Sequence, residues 1–155
     1  MVGLGTRISR ERVSIAAADA FANALAATSG PTIVCAQAGN VNTGAFDPVA
    51  KIADHVANAR RDGRPVWLHV DGAFGLWAAA APGRSGLVTG IHRADSIATD
   101  AHKWLNVPYD SGLVFTAHPV AHRGAMSLSA AYIQATGAER DPQDRKSTRP
   151  NSSHT

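Results

Sequence analysis

The sequence holds a single cysteine, few aromatic residues (four Phe, three Trp, two Tyr) and no long apolar run in 155 residues. One cysteine, Cys35, excludes an internal disulfide, and its setting in "TIVCAQ" reads as a buried strand position rather than a reactive thiol. No stretch nears the roughly 20 apolar residues of a membrane span, and the start "MVGLGTRISRER" lacks the basic, apolar and cleavage-site order of a signal peptide. The expected location is the cytoplasm, with no membrane contact. Hydrophobic residues still make up 45% of the chain, enough for one ordinary core, so the composition is that of a folded domain.

Excess charge of one sign is scarce as well. The formal net charge is +3, and the segment 144–155, "DRKSTRPNSSHT", carries much of it. Without that segment 12 basic residues face 11 acidic ones, so nothing favours a nucleic-acid partner. The segment is polar and without period, and it closely resembles the translation of a common sequencing adapter. It is read as an adapter-derived or disordered tail, which leaves residues 1–143 to fold.

Within those residues the pattern alternates between helix and strand. Ala16–Thr28 is alanine-rich, with Phe21 and Leu25 four apart, and predicts a helix stopped by Ser29, Gly30 and Pro31. Thr32–Gln37 is a short β-branched run and predicts a buried strand. A loop rich in glycine and asparagine follows, then a helix to about Arg61 with Asp47 as its N-cap and Pro48 in its first position. Pro65–Asp71, Asp95–Asp100 and Ser111–Ala117 predict three more strands. Pro65–Asp71 shows almost no polar alternation, which predicts cover on both faces. Apolar strands separated by helices indicate an α/β fold, a three-layer arrangement around a mostly parallel sheet.

Ligands of such sheets sit outside the carboxyl ends of the strands. Polar groups gather at those ends here: Asn40 after the first strand, Asp71 after the second, Asp100, His102 and Lys103 after the third. A carboxylate ending an apolar strand is partly desolvated and wants a positive partner, and Gly72, Ala73 and Gly75 leave room beside it for a flat ligand. Alone, Asp71 reads equally as a cap for the helix that follows. Lys103 stands between the third strand and Trp104 and Leu105, which read as packing, and a desolvated amine is a nucleophile toward carbonyls. Alone it reads as a lysine reaching the surface or paired with Asp100. Together, a carboxylate for a ring nitrogen, a lysine for an aldehyde and small residues beneath the ring are what pyridoxal phosphate requires.

Other constellations are weaker. His118 and His122 are four apart, yet Pro119 intervenes and no third ligand follows, so no metal is expected. His69 points to the same side of its strand as Asp71, either as support for it or as a satisfied core histidine, and His55 reads as solvated on its helix.

"GNVNTGAFDP", "HVDGAFG" and "ADSIATDAHKWLNVPYDSGLVF", in that order, resemble the cofactor-binding core of the group II pyridoxal-phosphate-dependent amino-acid decarboxylases. The likeness covers roughly Pro31 to Val120. It implies part of the large domain of a fold type I enzyme, in which Lys103 forms the Schiff base with pyridoxal phosphate. Asp71 would pair with the pyridine nitrogen, Ala73 would pack on one ring face, and His102 and Asp100 would lie near the cofactor and its phosphate. A protonated His102 or Lys103 would then serve the carbanion left by decarboxylation. Asn40 stands in the loop from which the family supplies another cofactor contact. Three positions depart from the family pattern: Gly72 and Phe74, where alanine and a larger aromatic are frequent, and Asp100, where asparagine is. The resemblance also implies a homodimer of much longer chains acting on an amino acid, so the 155 residues are expected to be a fragment, inactive alone and with hydrophobic surface uncovered. The alternatives are a different reaction at Cα, such as transamination, aldol cleavage or elimination, or no catalysis at all.

Overall fold

The computed structural model describes residues 18–126. The start of the first helix and the segment 144–155 lie outside the described residues. The chain divides into two compact units after Pro119, and of the second only residues 120–126, within the helix Pro119–Met126, are described.

The first unit is built on a four-stranded sheet in the order β1 (Thr32–Gln37), β2 (Val66–Asp71), β3 (Ser96–Asp100), β4 (Gly112–Thr116). β1, β2 and β3 run parallel, and β4 returns antiparallel beside β3. The mixed, mostly parallel sheet agrees with the expected α/β class. Each strand lies within a residue or two of its predicted span.

Helix α1 (Ala18–Ala26) buries Leu25 and ends where Thr28 Oγ1 donates to the Leu25 carbonyl at 2.8 Å and the Arg64 guanidinium donates to the carbonyls of Leu25 and Thr28. A cation on the last carbonyls satisfies groups that the helix itself leaves open. Helix α2 (Val49–Arg61) buries Val49, Ile52, Ala53, Val56 and Ala59, the stripe that a 3.6-residue period lays against a sheet. Its end is fixed by Gly63 at φ +78°, whose amide bonds Arg60 O while the Arg64 amide bonds Ala59 O. This double closure needs a left-handed residue and explains the glycine there.

Asp47 does not cap α2. Pro48 occupies the cap position without a side-chain bond, and the Asp47 carboxylate instead accepts the Gln37 amide at 2.7 Å, tying the loop back to the end of β1. Burial pushes the Asp47 carboxyl up, with the Gln37 amide opposing.

The core lies on one face of the sheet, where Val34 and Ala36 of β1 and Val66, Leu68 and Val70 of β2 meet α2. The expectation of two covered faces for β2 is corrected: buried Val66, Leu68 and Val70 alternate with half-buried Trp67, His69 and Asp71. On that second face β1 presents Ile33, 72% exposed, and Cys35, which is exposed and not the core residue expected. The reason is the two-residue strand period: both sit beside the Trp67 and His69 positions on a face that no described helix covers. The outer strand β4 likewise leaves Val114 and Phe115 exposed. No helix among the described residues is long and apolar enough to cross a membrane.

One buried acid joins four elements. Asp95, just before β3, accepts from the Leu68 amide at 2.6 Å, from Arg60 of α2 and, at 2.8 Å, from His118 Nε2 beyond β4. Its own amide bonds Leu68 O, and its carbonyl receives the Ala117 amide. His118 also lies against the Trp67 ring, so it is spent on structure. His55, expected in solvent, is half-buried with its ring edge toward Phe21.

Candidate active site

The carboxyl ends of β1, β2 and β3 are pinned to one another by backbone bonds. The Ala38 amide bonds Asp71 O, the Gly72 amide bonds Ala98 O, and the Gly75 amide returns to Ala38 O, each between 2.8 and 2.9 Å. Thr99, buried, donates its hydroxyl to Gly72 O at 2.9 Å. The turn after β2 is thus gripped from both neighbouring strands. Space beside Asp71 was expected from its glycines, but the protein fills it. A Cβ on Gly75 would stand 2.4 Å from Ala38 O, and one on Gly72 would stand 2.9 Å from Leu76 Cβ. At Gly75 backbone meets backbone, at Gly72 the turn closes on Leu76 and Ala98 O, and Ala73 and Phe74 carry the side chains between them.

Asp71 is half-buried, and its Oδ1 accepts the Ala73 amide at 3.0 Å, a local turn closure of the kind that Asp favours. Among the described residues its carboxylate meets no cation. Its register partners are Gln37 on β1 and Ala98 on β3, which sets it on the same face and edge as Asp100, two residues beyond Ala98.

Lys103 lies on the short helix α3 (Ala101–Trp104) that continues directly from β3. Its ammonium is 2.6 Å from Asp100 Oδ2 and stands 4.2 Å above the centre of the Phe74 ring. A cation over an aromatic face and beside a carboxylate is doubly attracted. The hydrogen bond from Lys103 holds the Asp100 carboxyl below its ordinary range against the opposing effect of burial, helped by the charge of Lys103. Asp100 therefore neutralises the lysine rather than standing unpaired. The expectation that Lys103 is an amine isolated by burial is corrected: an ion pair holds it, and its side chain keeps 29% of its exposure. Trp104 and Leu105, expected to pack, are 69% and 49% exposed.

His102 accepts the Ser111 amide on Nδ1 at 3.1 Å and lies 4.1 Å, centre to centre, from the Tyr109 ring. Asn40 is taken up by its own loop: Nδ2 donates to Gln37 Oε1, and Oδ1 receives the amides of Asn42 and Thr43 and the Thr43 hydroxyl. His69 Nδ1 is bonded to Ser96 Oγ, which also accepts the Trp67 indole hydrogen, both at 2.8 Å. The structure thus gathers Lys103, Asp100, His102 and Phe74. Asp71 and Ala73 lie on the turn that delivers Phe74, and the Asn40 side chain faces its own turn. Tyr109 and Ser111 went unassigned in the sequence, and Phe74 was noted only as a departure from the family pattern. The Ser111 contact is made by backbone and leaves no mark in residue identity.

Comparison with known proteins bears on this edge of the sheet. Residues 10–148 match the model of the pyridoxal-dependent decarboxylase conserved domain. The chain belongs to the pyridoxal-dependent decarboxylase family. It is 44% identical over 84 residues to an aromatic-L-amino-acid decarboxylase of Bacillus atrophaeus, matching 54% of this chain and 16% of that one. The crystal structure of Catharanthus roseus tryptophan decarboxylase with L-tryptophan superposes with a TM-score of 0.58 at 29% identity, over 71% of this chain and 23% of the other. That of Rhodiola rosea 4-hydroxyphenylacetaldehyde synthase gives 0.52 at 32% identity, over 66% and 21%. The chain therefore spans less than a quarter of the length of these decarboxylase-family relatives. The donor set fits the cofactor for which the family is named: an amine that can meet an aldehyde and a carboxylate with no protein cation among the described residues.

Proposed function

We propose that the longer protein of which this chain is part decarboxylates an amino acid with pyridoxal phosphate held on Lys103. The observation that carries the reading is the pairing of unlike groups on one edge of a parallel sheet. Lys103 sits at the end of β3 on the Phe74 ring, and the Asp71 carboxylate, which meets no cation among the described residues, ends the adjacent β2. When bound, the cofactor supplies an electron sink for the bond broken at Cα.

The residues of this chain have separate tasks. Lys103 would hold the cofactor through its amine once the ion pair with Asp100 opens, and Asp100 would remain beside it as a hydrogen-bond acceptor. Asp71 would hold the cofactor's ring nitrogen and keep a hydrogen on it, its own position being fixed by the Ala73 amide. Ala73 would pack against the ring, His102 and Asp100 would stand by the phosphate, and Asn40 would act by shaping its loop. The reading includes a homodimer and an amino acid as substrate, both carried over from the family resemblance, and the cytoplasmic location expected from the sequence. A second reading, another reaction at Cα, is favoured by one observation: a relative of 32% identity is named a synthase rather than a decarboxylase.

Borohydride reduction of the full-length protein with pyridoxal phosphate, followed by peptide mapping, is expected to place the pyridoxyl label on Lys103 and to place none in Lys103→Ala. A label on another lysine overturns the assignment. Carbon dioxide release from a panel of amino acids separates decarboxylation from other chemistry at Cα. Asp71→Ala is expected to keep the label on Lys103 but to lower single-turnover rates roughly 100-fold or more, the scale of losing one electrostatic contact to developing charge. Parent-like rates in that variant remove Asp71 from the mechanism.

A further inference from the structure

His102 is the member of the site whose chemistry the hydrogen bonds define most sharply. The Ser111 backbone N–H donates to Nδ1 at 3.1 Å. A backbone amide, unlike a hydroxyl, can only donate, so Nδ1 must offer its lone pair and carries no hydrogen. The hydrogen of the neutral ring is therefore on Nε2. His69 differs in this respect, because its partner, Ser96 Oγ, can give or take a hydrogen. The Tyr109 ring, 4.1 Å away and tilted by 38°, limits the rotation by which His102 could exchange its nitrogens. Among the described residues Nε2 has no protein partner.

We propose that His102 serves the site as a fixed Nε2–H hydrogen-bond donor and not as the acid that delivers a proton, with Ser111 and Tyr109 as its positioning residues. To act as an acid the ring would need hydrogens on both nitrogens. A hydrogen on Nδ1 would face the Ser111 N–H, break that bond and leave two donors opposed. The Ser111 amide is itself held in place, because its residue's carbonyl accepts the Ala101 amide at 2.9 Å, closing the strand β4 entry onto the start of α3. With no acceptor among the described residues, the Nε2–H is left for an oxygen or nitrogen lone pair of a ligand. The proton that a decarboxylated product needs falls to another group. The role at the site rests on the proposed function, but the tautomer does not.

The test uses the full chain, labelled with ¹⁵N-histidine and free of cofactor, in long-range proton–nitrogen correlation spectra, with His102→Gln identifying the signals. The expected result is a single neutral tautomer, with Nδ1 bare and Nε2 protonated. Tyr109→Phe keeps that species, because the ring is kept, whereas Tyr109→Ala shows a second tautomer or an averaged signal. A hydrogen on Nδ1 in the parent, alone or together with Nε2–H, overturns the proposal. An unchanged tautomer in Tyr109→Ala removes Tyr109 as a positioning residue. Failure of borohydride labelling at Lys103 would leave these spectra unaffected, so the two readings fail separately.

Discussion

Asp95→Ala is expected to destabilise the domain by about 3 kcal/mol, the cost of removing one partner from a buried charge network. The side chain of Asp95 is 8% exposed and satisfies Arg60, His118 and the Leu68 amide at once, so its loss strands three donors together. Arg60 and His118 keep 37% and 48% exposure, which lets water recover part of the loss and keeps the figure at the low end for a buried pair. Asp95→Asn retains an acceptor for the Leu68 amide and is expected to cost about half as much. Urea unfolding followed by circular dichroism measures both, and an Asp95→Ala midpoint equal to the parent's would show that the network carries no stability. Acid adds a second signature. Burial by itself pushes the Asp95 carboxyl up, but the Leu68 amide, His118 and Arg60 outweigh it and hold it below the ordinary 3.8. A carboxylate lowered on folding contributes stability that is complete above its unfolded value and drains away as pH falls through the folded one. The parent should therefore lose stability below about pH 4, and Asp95→Asn should show a shallower acid limb.

Gly75→Ala is expected to cost about 3 kcal/mol and to disturb the site as well as the fold, at the upper end of overpacking penalties. The new methyl would stand 2.4 Å from Ala38 O, 2.5 Å from Ala38 C and 2.7 Å from the Gly39 nitrogen, all backbone atoms that no rotamer change can move. Gly39, at φ +81°, has the same problem in return, since a Cβ there would meet Gly75 Cα at 2.7 Å. The loops after β1 and β2 would have to part, breaking the Gly75 amide bond to Ala38 O and shifting Phe74 from beneath the Lys103 ammonium. Gly86→Ala, where nothing lies within 4 Å, serves as the control and should stay within about 0.5 kcal/mol of the parent. Equal unfolding midpoints for the two variants would contradict the close crossing of these loops.

Much of the site was legible because strand ends can be read locally. The runs "TIVCAQ", "VWLHVD" and "SIATD" end where β1, β2 and β3 end, and polar residues at such ends stand out against the apolar run before them. The pairing of Lys103 with Asp100 was readable as an alternative, since three residues separate them. What escaped was every relation between segments distant in the chain. Cys35 and Trp104 have apolar surroundings in sequence, but whether a face is covered depends on what packs there. Asp47 has the chemistry of an N-cap, yet the unpaired amide of Gln37, ten residues earlier, won its carboxylate.

The sequence by itself determined the order of helices and strands and the set of groups that can carry chemistry, because hydrophobic period and side-chain type are properties of short segments. Tertiary structure decided which face of β2 is buried, what neutralises Lys103, how Asp95 holds four elements and which nitrogen of His102 bears its hydrogen. Those outcomes depend on donors and acceptors brought together from separate strands, and such meetings have no counterpart in local residue pattern.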